Sequence, residues 1–234
     1  RWNRENRFLC SYGRAIKLDI IMWRFQFMGF PVTVHWWFWL TMFLLGGGIN
    51  LQRADQLLAP LLFMVAAFIS IMVHELGHAL AGRKYGAVPS IHLHGFGGVT
   101  TLPGGYFSRN QSMFVSFAGP LASLILGLAA FMLLPLVLSS SPVLAYVLSV
   151  MVWINTFWTV LNLLPIQPLD GGQIFRDFMG PSRRENVRWV GVIVASLVAL
   201  WALQLDRVFL CMMMAYLAYM NYQESPGEGG VITH

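Results

Sequence analysis

Sixty consecutive residues, 110 to 169, contain no Asp, Glu, Lys or Arg. A water-soluble domain carries about a quarter of its residues as charges, so a stretch this long without one has no polar surface to show to water. It is interrupted only by Ser139, Ser140, Ser141 and Pro142, residues that suit a tight turn between antiparallel helices. Each side of that turn is long enough for the roughly 20 apolar residues that cross a bilayer core. The whole chain of 234 residues agrees, with 57% hydrophobic, 14% aromatic and only 11% charged residues. The expectation is an integral membrane protein.

Apolar segments at 32–49, 57–82, 112–138, 143–165, 188–205 and a shorter one at 207–223 predict an all-α polytopic membrane protein with about six transmembrane helices. The formal charge of +5 by itself would suggest nucleic acid, but the cations are distributed as a topology signal instead. With the N-terminus in the cytoplasm, thirteen Lys and Arg fall on that side: six between Arg1 and Arg24, three at Arg83, Lys84 and Arg109, and four between Arg176 and Arg188. Only Arg53 and Arg207 fall opposite. That asymmetry places both termini in the cytoplasm and argues against a nucleic-acid partner. No cleavable signal peptide pattern is present, because charges run throughout the first 27 residues. The expected organisation is a cytoplasmic membrane-surface segment over 1–30, a six-helix membrane domain over 31–223, and a flexible cytoplasmic tail over 224–234. Cys10 and Cys211 have neither metal nor redox spacing and are expected to be unpaired.

The second segment carries "HELGH" at 74–78. On a helix, positions i and i+4 lie one turn apart on the same face, so His74 and His78 can offer two imidazoles to one metal ion. Zinc suits such ligands. Glu75 sits beside that face, placed to take a proton from water and pass it to a leaving amine. Ionisable residues within a span are costly and mark function, which raises this short pattern above chance. A catalytic zinc needs a third protein ligand. The candidates are His35, His92, His94, His234, Asp170, Asp177 and Glu185, and topology favours Asp170, because the second and fourth spans both run inward and reach one depth. The approach to Asp170, "NLLPIQPLDGG" at 162–172, is irregular by composition. Pro165 and Pro168 break the helix and Gly171 with Gly172 permit close packing. Such backbone is tolerated in a membrane only where protein or a wet cavity satisfies it.

Together these two motifs resemble the site-2 protease family of intramembrane zinc metalloproteases. The resemblance extends to "FPVTVHWWF" at 30–38, "IHLHGFGGVT" at 91–100 and "FAGPLAS" at 117–123. It implies one zinc per chain, held by His74, His78 and Asp170, with Glu75 as the base. It also implies a small re-entrant β-hairpin after the second helix, where Gly95, Phe96, Gly97, Gly98 and Val99 offer backbone to an extended substrate. Asn162, Pro165 and Pro168 fall where the family holds the unwound peptide. Ser123 departs from the pattern, since family members often have Asn there. The chain shows no PDZ or CBS domain, so the resemblance implies substrate selection by the membrane core or by a regulatory membrane partner. The implied partners are a transmembrane protein substrate and membrane lipid; the absence of disulfide spacing and of accessory domains fits a bacterial or archaeal plasma membrane, with an organelle as the alternative.

Other polar residues have simpler expected roles. His35 and the neighbouring tryptophans suit the membrane interface. His92 and His94 share a strand face and suit satisfied polar contacts. Asn155 suits an interhelical hydrogen bond. A non-proteolytic scaffold or zinc transporter would use the same ligands but has no need of Glu75, and a peptidase of the prenyl-protein type would require a glutamate as third ligand.

Overall fold

The computed structural model describes residues 22–223. Most of the expected surface segment (1–21, with Cys10) and the expected tail (224–234, with His234) lie outside the described residues.

Strands β1 (Met22–Phe27) and β2 (Phe30–His35) form a hairpin ahead of the short helix α1 (Trp36–Leu45). Helix α2 (Leu58–Lys84) follows, then strands β3 (Ser90–His94) and β4 (Gly97–Thr101), and helices α3 (Arg109–Val137) and α4 (Pro142–Asn162). The chain continues through α5 (Asp170–Met179), α6 (Arg184–Gln204) and α7 (Val208–Gln223). The four strands make one sheet in the order β1-β2-β3-β4. Both hairpins are antiparallel, and β2 runs parallel to β3 with Val32 opposite Ile91.

The expected hairpin at 91–100 is present, but it is half of a larger sheet, so the fold is mostly helical and not all-α. The expected first span over 32–49 is corrected for the same reason. Phe30, Val32 and Val34 are buried while Pro31, Thr33 and His35 are more exposed, a period of two that pairs with β3. Helix therefore begins only at Trp36 and runs for ten residues. Among the described residues, four helical segments are long and apolar enough to cross a membrane: Ala54–Lys84, Arg109–Val137, Pro142–Asn162 and Pro181–Gln204. Helix α7, over the expected sixth span, has sixteen residues, fewer than the roughly 20 that a crossing takes.

Local chemistry sets the helix ends. Arg83 and Lys84 occupy the last turn of α2, favourable for the helix dipole, and Gly86 at φ +89° turns the chain toward the sheet. Ser108 and Gln111 form a capping box at the start of α3. Ser141 caps α4, with Pro142 as its first residue. The inner face of the sheet, Val32, Val34, Ile91 and Leu93, packs with Ile71, Met72, Leu76 and Ala79 of α2. Because Leu76 lies within the HELGH turn and Ala79 directly follows it, this apolar contact fixes the sheet beside the histidines.

Candidate metal centre

His74, Glu75, His78 and Asp170 retain only 3, 4, 7 and 9% of their surface, so each must be satisfied from within the protein. Helix α2 brings the two imidazole Nε2 atoms to 3.1 Å of each other. Their other nitrogens are held by α3. His78 Nδ1 donates to the Val115 carbonyl at 2.8 Å, which leaves Nε2 as the lone-pair nitrogen of the neutral ring. His74 Nδ1 pairs with Ser123 Oγ at 3.0 Å. Helix α3 comes this close because Gly119 has no side chain: a Cβ there would lie 2.1 Å from His78 Nε2.

Asp170 arrives from the opposite direction. Pro165 and Pro168 end helical continuity after α4, and the loop buries Ile166 completely before α5 starts at Asp170. Gly171 and Gly172 lie against that loop, where added Cβ atoms would meet the Leu163 and Ile166 carbonyl oxygens at 2.2 and 2.4 Å. At the far end of α5, Arg109 donates to the carbonyls of Asp177 and Phe178. Asp170 Oδ2 thereby reaches 3.2 Å from His74 Nε2, and Oδ1 reaches 3.3 Å from His78 Nε2.

Among the described residues, His74, His78 and Asp170 form the one group of three or more potential ligands whose donor atoms converge. Tetrahedral zinc with ligands at about 2.0 to 2.1 Å places them about 3.3 Å apart, and the observed separations of 3.1 to 3.3 Å fit. Asp170 Oδ2 is buried without a hydrogen bond, although an imidazole nitrogen is its neighbour. A cation resolves the apposition of lone pairs on two nitrogens and a carboxylate, so this donor set suits a metal ion.

Glu75 turns toward the sheet. Its Oε2 accepts from Thr100 Oγ1 at 2.7 Å. A Cβ on Gly98 would lie 2.5 Å from Glu75 Oε1, so the bare backbone of β4 lies against the carboxylate. Among the described residues no strand pairs with the outer edge of β4. Phe96 at the hairpin tip is half exposed and lies near Trp37 and Phe209. Gly95 faces Trp37, Gly97 faces Trp158, and Val99 pairs with His92. Asn162 ends α4, while Pro165 and Pro168 belong to the loop that delivers Asp170.

The remaining described histidines stay apart from this group. His92 Nε2 lies 3.2 Å from Ser90 Oγ, and His94 stacks on Trp37 while accepting from the Phe96 amide. Burial, followed by nearby His35, holds both imidazoles below the ordinary histidine value. Asn155 joins α4 to α2 through Ser70 at 2.9 Å, as expected of it. Thr100 and Val115 are contacts the sequence reading missed. Strand alternation could have found Thr100, which shares a face with Gly98, but nothing in a sequence marks a single valine carbonyl.

The model of peptidase family M50 matches residues 62–147 and 139–203. Rip3 of Mycobacterium tuberculosis, by its name a candidate zinc metalloprotease, is 36% identical over 164 residues, 68% of this chain and 36% of its own length. A zinc metalloprotease of Methanocaldococcus jannaschii is 26% identical over 210 residues, 86% of this chain and 59% of its own length. This chain therefore spans about a third to three fifths of these relatives. A solved structure described as the site-2 protease from Methanocaldococcus jannaschii shares the fold, with a TM-score of 0.62 at 24% identity over 91% of this chain and 99% of that one. The chain belongs to peptidase family M50, the site-2 protease family. With four helices of crossing length, it is an integral membrane protein.

Proposed function

We propose that this chain is an intramembrane zinc metalloprotease that hydrolyses peptide bonds in or near transmembrane segments of membrane proteins. The observation that carries the reading is the convergence of His74, His78 and Asp170 beside a carboxylate, Glu75, that lies against a strand with which no other described strand pairs on its outer edge. His74 Nε2, His78 Nε2 and the Asp170 carboxylate would hold one zinc ion. Zinc there would supply Lewis acidity, polarising a peptide carbonyl and making water nucleophilic near neutral pH.

The protein's own groups carry the rest. The outer edge of β4 pairs with a substrate that has left helical form, satisfying backbone groups that lipid cannot. Gly95, Phe96, Gly97, Gly98 and Val99 line that approach, with Asn162, Pro165 and Pro168 on the side of Asp170. The water oxygen bonds to the peptide carbon while Glu75 takes a water proton, and Glu75 returns it to the amide nitrogen as the C–N bond breaks. Thr100 orients Glu75 for both transfers. The β4 edge selects an extended segment, and membrane lipid surrounds the spans. The cations fall on one side only where the segments at 32–49 and 207–223 also cross, and on that six-span reading both termini lie in the cytoplasm of a bacterial or archaeal cell, with a regulatory membrane partner admitting the substrate.

The test is Glu75→Gln in the purified protein. Zinc content should match the wild type and cleavage should be lost, and the variant should trap membrane proteins that the wild type cuts. A variant cutting at the wild-type rate would overturn the assignment, and a wild type that binds zinc but cuts no trapped protein would favour a scaffold.

A further inference from the structure

Helix α7 ends on an amide that the chemistry above does not use. Asn221 is 1% exposed, and its side chain reaches back to the loop before Asp170. Its Oδ1 accepts from the Gln167 amide at 3.1 Å, and its Nδ2 donates to the Gln167 carbonyl at 2.6 Å. The second Nδ2 hydrogen goes to the Leu217 carbonyl at 2.8 Å. Both donors and the acceptor oxygen are thus occupied. Space for the amide comes from α6, where a Cβ on Gly191 would lie 2.2 Å from Asn221 Oδ1.

The placement is selective. Pro165 and Pro168 lack amide hydrogens, and the loop forms neither helix nor strand; turn bonds from the Ile166 and Leu169 amides and a bond from Gln173 Nε2 to the Pro168 carbonyl also tie it. Gln167 lies between them, three residues before Asp170, and Asn221 satisfies both of its backbone groups. A buried polar side chain on an apolar helix costs stability unless it is fully paired, and here the partner is the loop instead of another helix. We infer that Asn221 is a positioning residue for the metal site: it clamps Gln167 so that Asp170 meets His74 and His78 in ligand geometry. The inference rests on the zinc reading above. Asn221 touches no ligand and acts through the loop alone.

Two variants separate its parts. Asn221→Asp keeps the size and the acceptor but removes the donor and places an oxygen opposite the Gln167 carbonyl. Asn221→Leu removes both bonds at similar volume. Outer partners of metal ligands typically contribute about 10- to 100-fold in metal affinity, and both variants should lose zinc affinity in that range, measured in detergent against a chromophoric chelator. Cobalt substitution supplies a readout that mere destabilisation would not move, because a displaced Asp170 alters the visible bands of the folded fraction. Hydrogen exchange across 165–172 in metal-free protein should accelerate in both variants. Wild-type zinc affinity with an unchanged cobalt spectrum in folded Asn221→Asp overturns the clamp, even if Asn221→Leu fails to fold. A wild type that binds no zinc overturns the zinc reading itself, whereas a zinc-binding, active wild type with unaffected variants overturns only this inference.

Discussion

Replacing Thr100 by valine probes how Glu75 is held. The change keeps a β-branched side chain in β4 and removes one hydroxyl, leaving Glu75 Oε2 without its 2.7 Å donor in a site where Glu75 retains 4% of its surface. Hydrogen bonds to charged groups contribute about 1.5 to 3 kcal/mol, and each 1.36 kcal/mol is about tenfold in rate. Thr100→Val should therefore lower kcat by roughly 10- to 160-fold. Zinc content should stay at the wild-type level, because Thr100 touches none of the three ligands. Thr100→Ser retains the donor and should recover most of the rate. The assay is single-turnover cleavage in detergent of a substrate captured with Glu75→Gln, with metal analysis on the same samples. Unchanged cleavage in Thr100→Val would refute the orienting role. Parallel loss of zinc and activity would also refute it, by showing that the hydroxyl maintains the fold and not the base.

Three further substitutions test the supports of the centre. Ser123→Ala removes the partner of His74 Nδ1 at 3.0 Å and should weaken zinc binding by about 10- to 100-fold, read by chelator competition; unchanged affinity would show that the serine only packs. Gly119→Ala places a methyl group 2.1 Å from His78 Nε2 and should prevent stoichiometric zinc retention. The same change at Gly127, where the Cβ meets only Asn155 Cβ at 3.0 Å, should retain it, and equal metal content in the two would contradict the steric argument. Asn155→Val breaks the bond to Ser70 between α4 and α2. It should cost about 0.6 to 1.7 kcal/mol of stability in detergent unfolding, with zinc affinity preserved.

Membrane class and the candidate metal centre were legible from the sequence because each rests on a local or compositional rule. A charge-free run of sixty residues cannot expose itself to water, and two histidines four residues apart share a helix face wherever the helix lies. Asp170 was reachable through topology, since inward-running spans end at one depth. The first span was misread because hydrophobicity measures burial and not backbone form. Val32 and Val34 bury as strand residues against Ile91 and Leu93, and that pairing becomes visible only when β3, more than fifty residues later, lies alongside. Ser123 appeared in the sequence as a departure from a pattern, and the fold makes it a partner of His74. Thr100, Val115 and Asn221 acquire meaning only through contacts spanning 25 to 54 residues of chain. The sequence by itself determined which side chains are candidates to bind and react, because that depends on chemical type and local spacing. Only the tertiary structure decided what holds them in place, because hydrogen bonds to backbone atoms and gaps left by glycines exist only between packed elements.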